Sequence, residues 1–180
     1  MNALNFLIDT LFDLYLMVVL LRVWLQVARA DFYNPFSQFI VKATQPIVKP
    51  LRRFIPSLGG WDTATILFAY TVACLKVGAL ILISGSQFNL TLLLSYGLII
   101  FVSAIFKLLF WVLILRAILS WVSRGQNPIE AVMIQLTEPL MAPVRRFIPP
   151  IGGLDLSMIV VLIALQFLEK LVGPLLSSIL

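Results

Sequence analysis

Hydrophobic residues fall along this chain in four long blocks, roughly 4–28, 63–84, 98–122 and 156–178, each near the ~20 residues that carry a helix across a ~30 Å hydrocarbon core. Between the first and second blocks, and between the third and fourth, the period changes. Phe36, Phe39, Ile40, Ala43, Ile47, Leu51 and Phe54 are spaced by three and four, and Ile129, Val132, Met133, Leu136, Leu140, Val144 and Phe147 repeat that stripe. Gln38, Lys42, Gln45, Lys49 and Arg52 lie opposite it, the pattern of an amphipathic helix in a membrane interface. The predicted fold is an all-α membrane protein of four transmembrane helices with two amphipathic connectors, 34–56 and 127–149.

Turn and cap residues divide these elements further. Asn34-Pro35 and Asn127-Pro128 suit the start of each connector, with Asn as cap and Pro at the first helical position. Pro46 and Pro139 would each remove a backbone bond inside a helix, so each connector is expected as two short helices, with Thr44 or Thr137 near the second cap. Pro50 and Pro143 add a further kink, a Gly-Gly pair follows as a turn, and Asp62 or Asp155 is placed to cap the next span. The third apolar run begins near Leu90 and exceeds one crossing, so residues 88–97 are expected as a separate interfacial segment broken around Gly97. The sequon at Asn89–Thr91 is taken as chance.

Laying Asn34–Asp62 over Asn127–Asp155, a shift of 93 residues, gives identity at 13 of 29 positions, including NP, RRFIP and GG.D. This is an internal duplication, with units 1–87 and 88–180 and an even number of crossings between them, so the copies run parallel. Residues 29–62 carry Arg29, Lys42, Lys49, Arg52 and Arg53, and 123–155 carry Arg124, Arg145 and Arg146, whereas 85–97 has no Lys or Arg. The positive-inside rule then puts both connectors in the cytoplasm and both termini outside. A pseudo-twofold axis along the membrane normal follows.

Composition narrows the chemistry. The chain is 61% apolar and 12% charged, against about 25% charged residues in soluble domains, with a mean hydropathy of +1.05. Its +5 net charge points to an anionic lipid surface and not to nucleic acid. With no His and one Cys, His-based triads, thiol metal clusters, disulfides and cofactor ligation lack their residues, so no catalytic, cofactor or metal site is expected. Cys74, in an apolar run, reads as a small buried hydrophobe. Asp9 and Asp13 interrupt the first block and no basic stretch precedes it, so it reads as a span and not as a signal peptide.

Asp13, Lys76, Lys107 and Glu169 lie near the middles of the four spans, where each charge is costly. Asp13 aligns with Lys107, and Lys76 with Glu169, so the copies carry opposite charges at matching positions. The expectation is a neutral network in which Asp13 pairs with one lysine and Glu169 with the other; an ion or proton route is the rival. Asp9 and Lys170 lie near enough to join or flank the four. Arg22 and Arg116, nearer the cytoplasmic ends, are expected to reach lipid phosphates. Arg52, Arg53, Arg145 and Arg146 fit phosphate or partner contact.

The stretches LLRVW, ADFYNPFSQFIVKATQPIVKPLRRFIP and IQLTEPLMAPVRRFIP resemble the YggT family, also called YlmG-like, over nearly the whole chain. The resemblance implies a small bacterial inner-membrane protein with plastid relatives and no established catalytic activity. It also implies links to osmotic tolerance, to cell or plastid division, and to maturation of a c-type haem, although this chain has no His and no Cys pair for handling haem directly. The expected function is a non-enzymatic membrane scaffold or assembly factor whose partners are anionic lipids and a protein partner or further copies of itself. The alternative is a channel or transporter using the four buried charges.

Overall fold

The computed structural model describes residues 3–85, 87–122, 127–148 and 156–179. These form six α-helices and no strand: α1 (Ala3–Val27), α2 (Pro35–Phe54), α3 (Thr63–Ser84), α4 (Leu90–Val122), α5 (Pro128–Phe147) and α6 (Leu156–Ile179). Helices α1, α3, α4 and α6 are long and apolar enough to cross a bilayer. A helix closes its backbone hydrogen bonds within itself, which is what hydrocarbon demands of any spanning segment.

Helices α1, α3 and α4 pack on one another, α6 packs on α4 and α5, and α2 lies against α1 and α3 and touches α5. One core joins these layers. Leu16, Val19 and Leu25 of α1 meet Val72 and Ala73 of α3, Leu108 and Val112 of α4, and the stripe residues Ile40 of α2 and Val132 and Leu136 of α5. The α5 stripe is buried at Val132, Met133 and Leu136, whereas in α2 the buried face is Ser37, Ile40, Thr44 and Val48 and the stripe residues Phe39, Ala43, Ile47 and Phe54 are exposed. A smaller cluster of Leu113, Met141 and Val161 ties α4, α5 and α6 together.

The caps follow the sequence. Asn34 and Asn127 accept hydrogen bonds at 2.9 Å from the amides of Phe36 and Ile129, with Pro35 and Pro128 just inside each helix. Asp62 caps α3 through the Thr65 amide, after a turn in which Gly59 and Gly60 take positive φ. The corresponding turn and Asp155 of the second half lie outside the described residues.

Three expectations are corrected. Each connector is one continuous helix, with Pro46 and Pro50 inside α2 and Pro139 and Pro143 inside α5. All four prolines are exposed, so the carbonyls they leave without a donor are near surface that water or headgroups reach. Thr44 and Thr137 are accordingly mid-helix residues, not caps.

The segment 88–97 likewise does not break at Gly97, because α4 runs unbroken for 33 residues, about 50 Å at 1.5 Å per residue. Gly97 marks a close helix crossing instead. A Cβ there would stand 2.5 Å from Cys74 Sγ and 3.3 Å from Cys74 Cα. Cys74 is buried in that crossing, as its apolar setting suggested.

Outside the spans, Arg52 at the end of α2 grips the nearly inaccessible Asp62 carboxylate with two guanidinium nitrogens. Burial pushes the Asp62 carboxyl up, but the Arg52 and Thr65 hydrogen bonds and the Arg52 charge together outweigh it and hold the pKa below the usual carboxylate value. The folded pKa is depressed, so the stabilisation is complete above the unfolded value of about 3.9 and is lost as pH falls through the folded one. Thermal midpoints of wild type and Asp62→Asn in detergent should differ most near neutrality and converge in acid. A gap that stays constant from pH 6 to pH 3 would remove this linkage.

Candidate functional site: a charged cluster within the helix bundle

Asp9 and Asp13 stand one turn apart on α1 and so share a face. Lys76 of α3, its side chain only 7% exposed, reaches both: its ammonium is 2.8 Å from Asp9 and donates a hydrogen bond to Asp13. The second Asp13 oxygen accepts from Lys107 of α4 at 3.0 Å. Asp13 thus bridges two lysines from two other helices, and two acids face two bases. The surroundings are mostly apolar: Met17, Ile99, Ile100 and Ala104 close a cavity of about 150 Å³ over Asp13, Lys76 and Lys107.

Three of the four expected residues, Asp13, Lys76 and Lys107, come together, and Glu169 does not join them. Asp9 stands in its place. The cause is packing: α3 lies along α1, where Asp9 is a turn from Asp13, whereas α6 packs on α4 and α5. A carboxylate four residues from another on a helix was the sequence clue to Asp9.

Arg22 and Arg116 are also placed differently from expectation, since both are buried and bonded inside the protein. Arg22 donates to Thr44 Oγ1 at 2.7 Å, to Gln45 Oε1 at 2.9 Å and to the Val41 carbonyl at 3.3 Å. Arg116 donates to Thr137 Oγ1, and its other terminal nitrogen lies 3.5 Å from Glu138. Each threonine hydroxyl in turn donates a hydrogen bond to the carbonyl four residues back, at 2.8 Å to Ile40 and 2.7 Å to Met133. Helices α1 and α4 are thereby clamped to the connectors that follow them, α2 and α5. Thr44 and Thr137 are identical between the two copies, the one sequence hint that they had a role beyond capping.

The Arg pairs divide their work. Arg52 holds Asp62, and Arg145 holds both oxygens of Glu138 at 3.1 and 3.2 Å. Arg53 and Arg146 are exposed, with no side-chain hydrogen bond or ion pair among the described residues. Beside them Phe54 and Phe147 are more than four-fifths exposed, so each connector ends in a cation next to an aromatic ring. The connectors also meet each other: Asn34 Nδ2 donates to the Pro128 carbonyl at 2.8 Å, and Gln135 Oε1 accepts from the Asp31 amide at 2.9 Å. Sequence spacing alone carried no sign of that contact.

Comparison with known proteins finds relatives along nearly the whole chain. The chain is 61% identical over 181 residues to a Vibrio alginolyticus protein named "Uncharacterized protein in proC 3'region", covering 99% of this chain and 98% of that one. It is 47% identical over 178 residues to "Uncharacterized protein YggT" of Escherichia coli K12, covering 99% and 93%, and 42% identical over 174 residues to an uncharacterised Pseudomonas aeruginosa protein, covering 95% and 88%. No solved structure matches it. The family described as CCB3/YggT matches residues 1–83 and 95–176, nearly the full length, and the chain therefore belongs to the CCB3/YggT family.

Proposed function

We propose that the protein is a non-enzymatic scaffold or assembly factor of the bacterial inner membrane, built from two parallel copies of a span–connector–span unit. Its termini face outward and its connectors offer a cytoplasmic platform. The observation that carries this is where the polar groups go. Inside the spans Lys76, Asp13, Lys107, Arg22 and Arg116 are engaged with partners in the same chain, while Arg53 and Arg146 with Phe54 and Phe147 remain available at the connector ends. Engaged groups hold helices in register, and available cation–aromatic ends suit anionic headgroups and a protein partner.

The duplicated unit has further support. The two stretches matched by the family begin 94 residues apart (1 and 95) and end 93 apart (83 and 176), the offset of the sequence repeat. Helices α2 and α5 share length, Asn caps, internal prolines and terminal Arg pairs. Roles in division or osmotic tolerance, which the resemblance implied, would then be exerted through proteins gathered at this platform.

Purified protein in liposomes, assayed for K⁺, Na⁺ and H⁺ flux, tests this directly. The expected result is flux no greater than in protein-free liposomes, unchanged by Lys76→Leu or Glu169→Gln. Flux above that background which these substitutions alter would replace the scaffold with a channel or transporter working through the charged cluster.

A further inference from the structure

Two adjacent charges on α6 have no partner among the described residues. Glu169 and Lys170 make no ion pair or side-chain hydrogen bond among the described residues, Lys170 is exposed, and Glu169 is half-buried. Their helix is the barest of the four candidate spans, with 11% of its most apolar stretch buried against 39% in α3. Charges in the middle of a spanning helix normally face a partner or a water-filled cavity. Elsewhere on the surface lies a groove that is complementary to them. Between α1 and α4, the side chains of Asp9 and Lys107 are 38% and 49% exposed on a groove of about 480 Å³ walled by Phe6, Thr10, Leu14 and Trp111.

The levels agree as well. Asp13, whose oxygen fixes the Lys107 ammonium, is ten residues from the start of α1 (Ala3 to Asp13), and Glu169 is ten residues from the end of α6 (Glu169 to Ile179). With four crossings those two helix ends lie on the same side of the membrane. Asp9 is nearer that side than Asp13, and Lys170 is nearer it than Glu169, so the second pair is offset in the same direction. Copies inserted the same way keep these levels equal, which is the condition for contact within one bilayer.

We propose that a second copy of this chain docks here, its α6 entering the α1–α4 groove so that Glu169 meets Lys107 and Lys170 meets Asp9. Exchange of both helices about a twofold axis along the membrane normal makes the contact self-complementary and closed. This rests on the membrane-spanning arrangement proposed above.

The test is energy transfer between copies labelled at Ser178→Cys in a Cys74→Ala background, reconstituted in liposomes over a range of protein-to-lipid ratios. Wild-type chains should associate. Glu169→Gln should weaken association about tenfold, the size of an interhelical polar contact in a bilayer, and Glu169→Lys should abolish it. Because Glu169 has no partner among the described residues, neither change should move the thermal midpoint of the dilute, unassociated protein. Absence of association in wild type, or association indifferent to both changes, would overturn the interface. A midpoint that falls with Glu169→Gln would also overturn it, by showing that Glu169 pairs within its own chain. Flotation of the same liposomes separates failure of the interface from failure of membrane insertion.

Discussion

Lys76→Met should be among the most damaging single substitutions in this protein. It removes the only base among the described residues that reaches Asp9 and half of the charge around Asp13, and leaves carboxylates among apolar helices. Breaking a buried pair by deleting one member costs about 3–5 kcal/mol, because the surviving charge loses its compensation. On a chain of this size that is a fall in thermal midpoint on the order of 10 °C. Asp9→Asn in the Lys76→Met background should recover part of the loss, since it removes an orphaned carboxylate while Lys107 still serves Asp13. Midpoints measured in detergent for the two variants decide it. A Lys76→Met protein as stable as wild type would mean that the cluster does not hold α1, α3 and α4 together.

Gly97→Ala is the second large effect expected, and it would be missed by counting polar contacts. The added methyl would lie 2.5 Å from Cys74 Sγ, closer than real Cβ contacts come, so α3 and α4 must separate or Cys74 must turn. Overpacking of this kind costs about 1–3 kcal/mol, and Gly97→Leu should exceed that. Cys74→Ala deletes the sulfur and leaves the milder 3.3 Å approach to Cα. The double variant should therefore be more stable than the sum of the two single changes predicts, a coupling that a double-mutant cycle of unfolding midpoints measures. Strict additivity would show that the helices do not meet at this glycine.

Both effects concern how helices are held, and they bear on function through the connectors. The Arg22–Thr44 and Arg116–Thr137 clamps fasten each connector to the span before it, and Asp62 with Arg52 fastens the first connector to the span after it. A loosened bundle would therefore loosen the surface carrying Arg53, Phe54, Arg146 and Phe147. Substitutions at those four exposed positions touch no partner among the described residues, which makes them the changes that separate a role in recruitment from a role in folding.

Much of this was determined by the sequence itself. Long apolar blocks have few alternatives to spanning helices, because only internal hydrogen bonding satisfies a backbone in hydrocarbon. The Asn-Pro caps and the 3–4 stripes of the connectors act over one or two turns, so they were legible residue by residue. That Asp13, Lys76 and Lys107 needed opposite charges nearby also followed from where they sit along their spans.

Tertiary structure decided the rest, wherever the deciding neighbour is distant in sequence. Gly97 signals a break when read alone and a close crossing when Cys74 is beside it. Pro46 and Pro139 end helices in isolation, yet both helices run through them, each with one face buried against protein: Ser37, Ile40, Thr44 and Val48 in α2, and Val132, Met133, Leu136 and Met141 in α5. Arg22 was expected at lipid phosphate and found Thr44 and Gln45 instead, because α2 packs on α1 and brings fixed acceptors within hydrogen-bond reach of the guanidinium. Asp9 displaced Glu169 from the cluster for the same kind of reason: mid-span position limits which charges can meet, and helix packing selects which of them do.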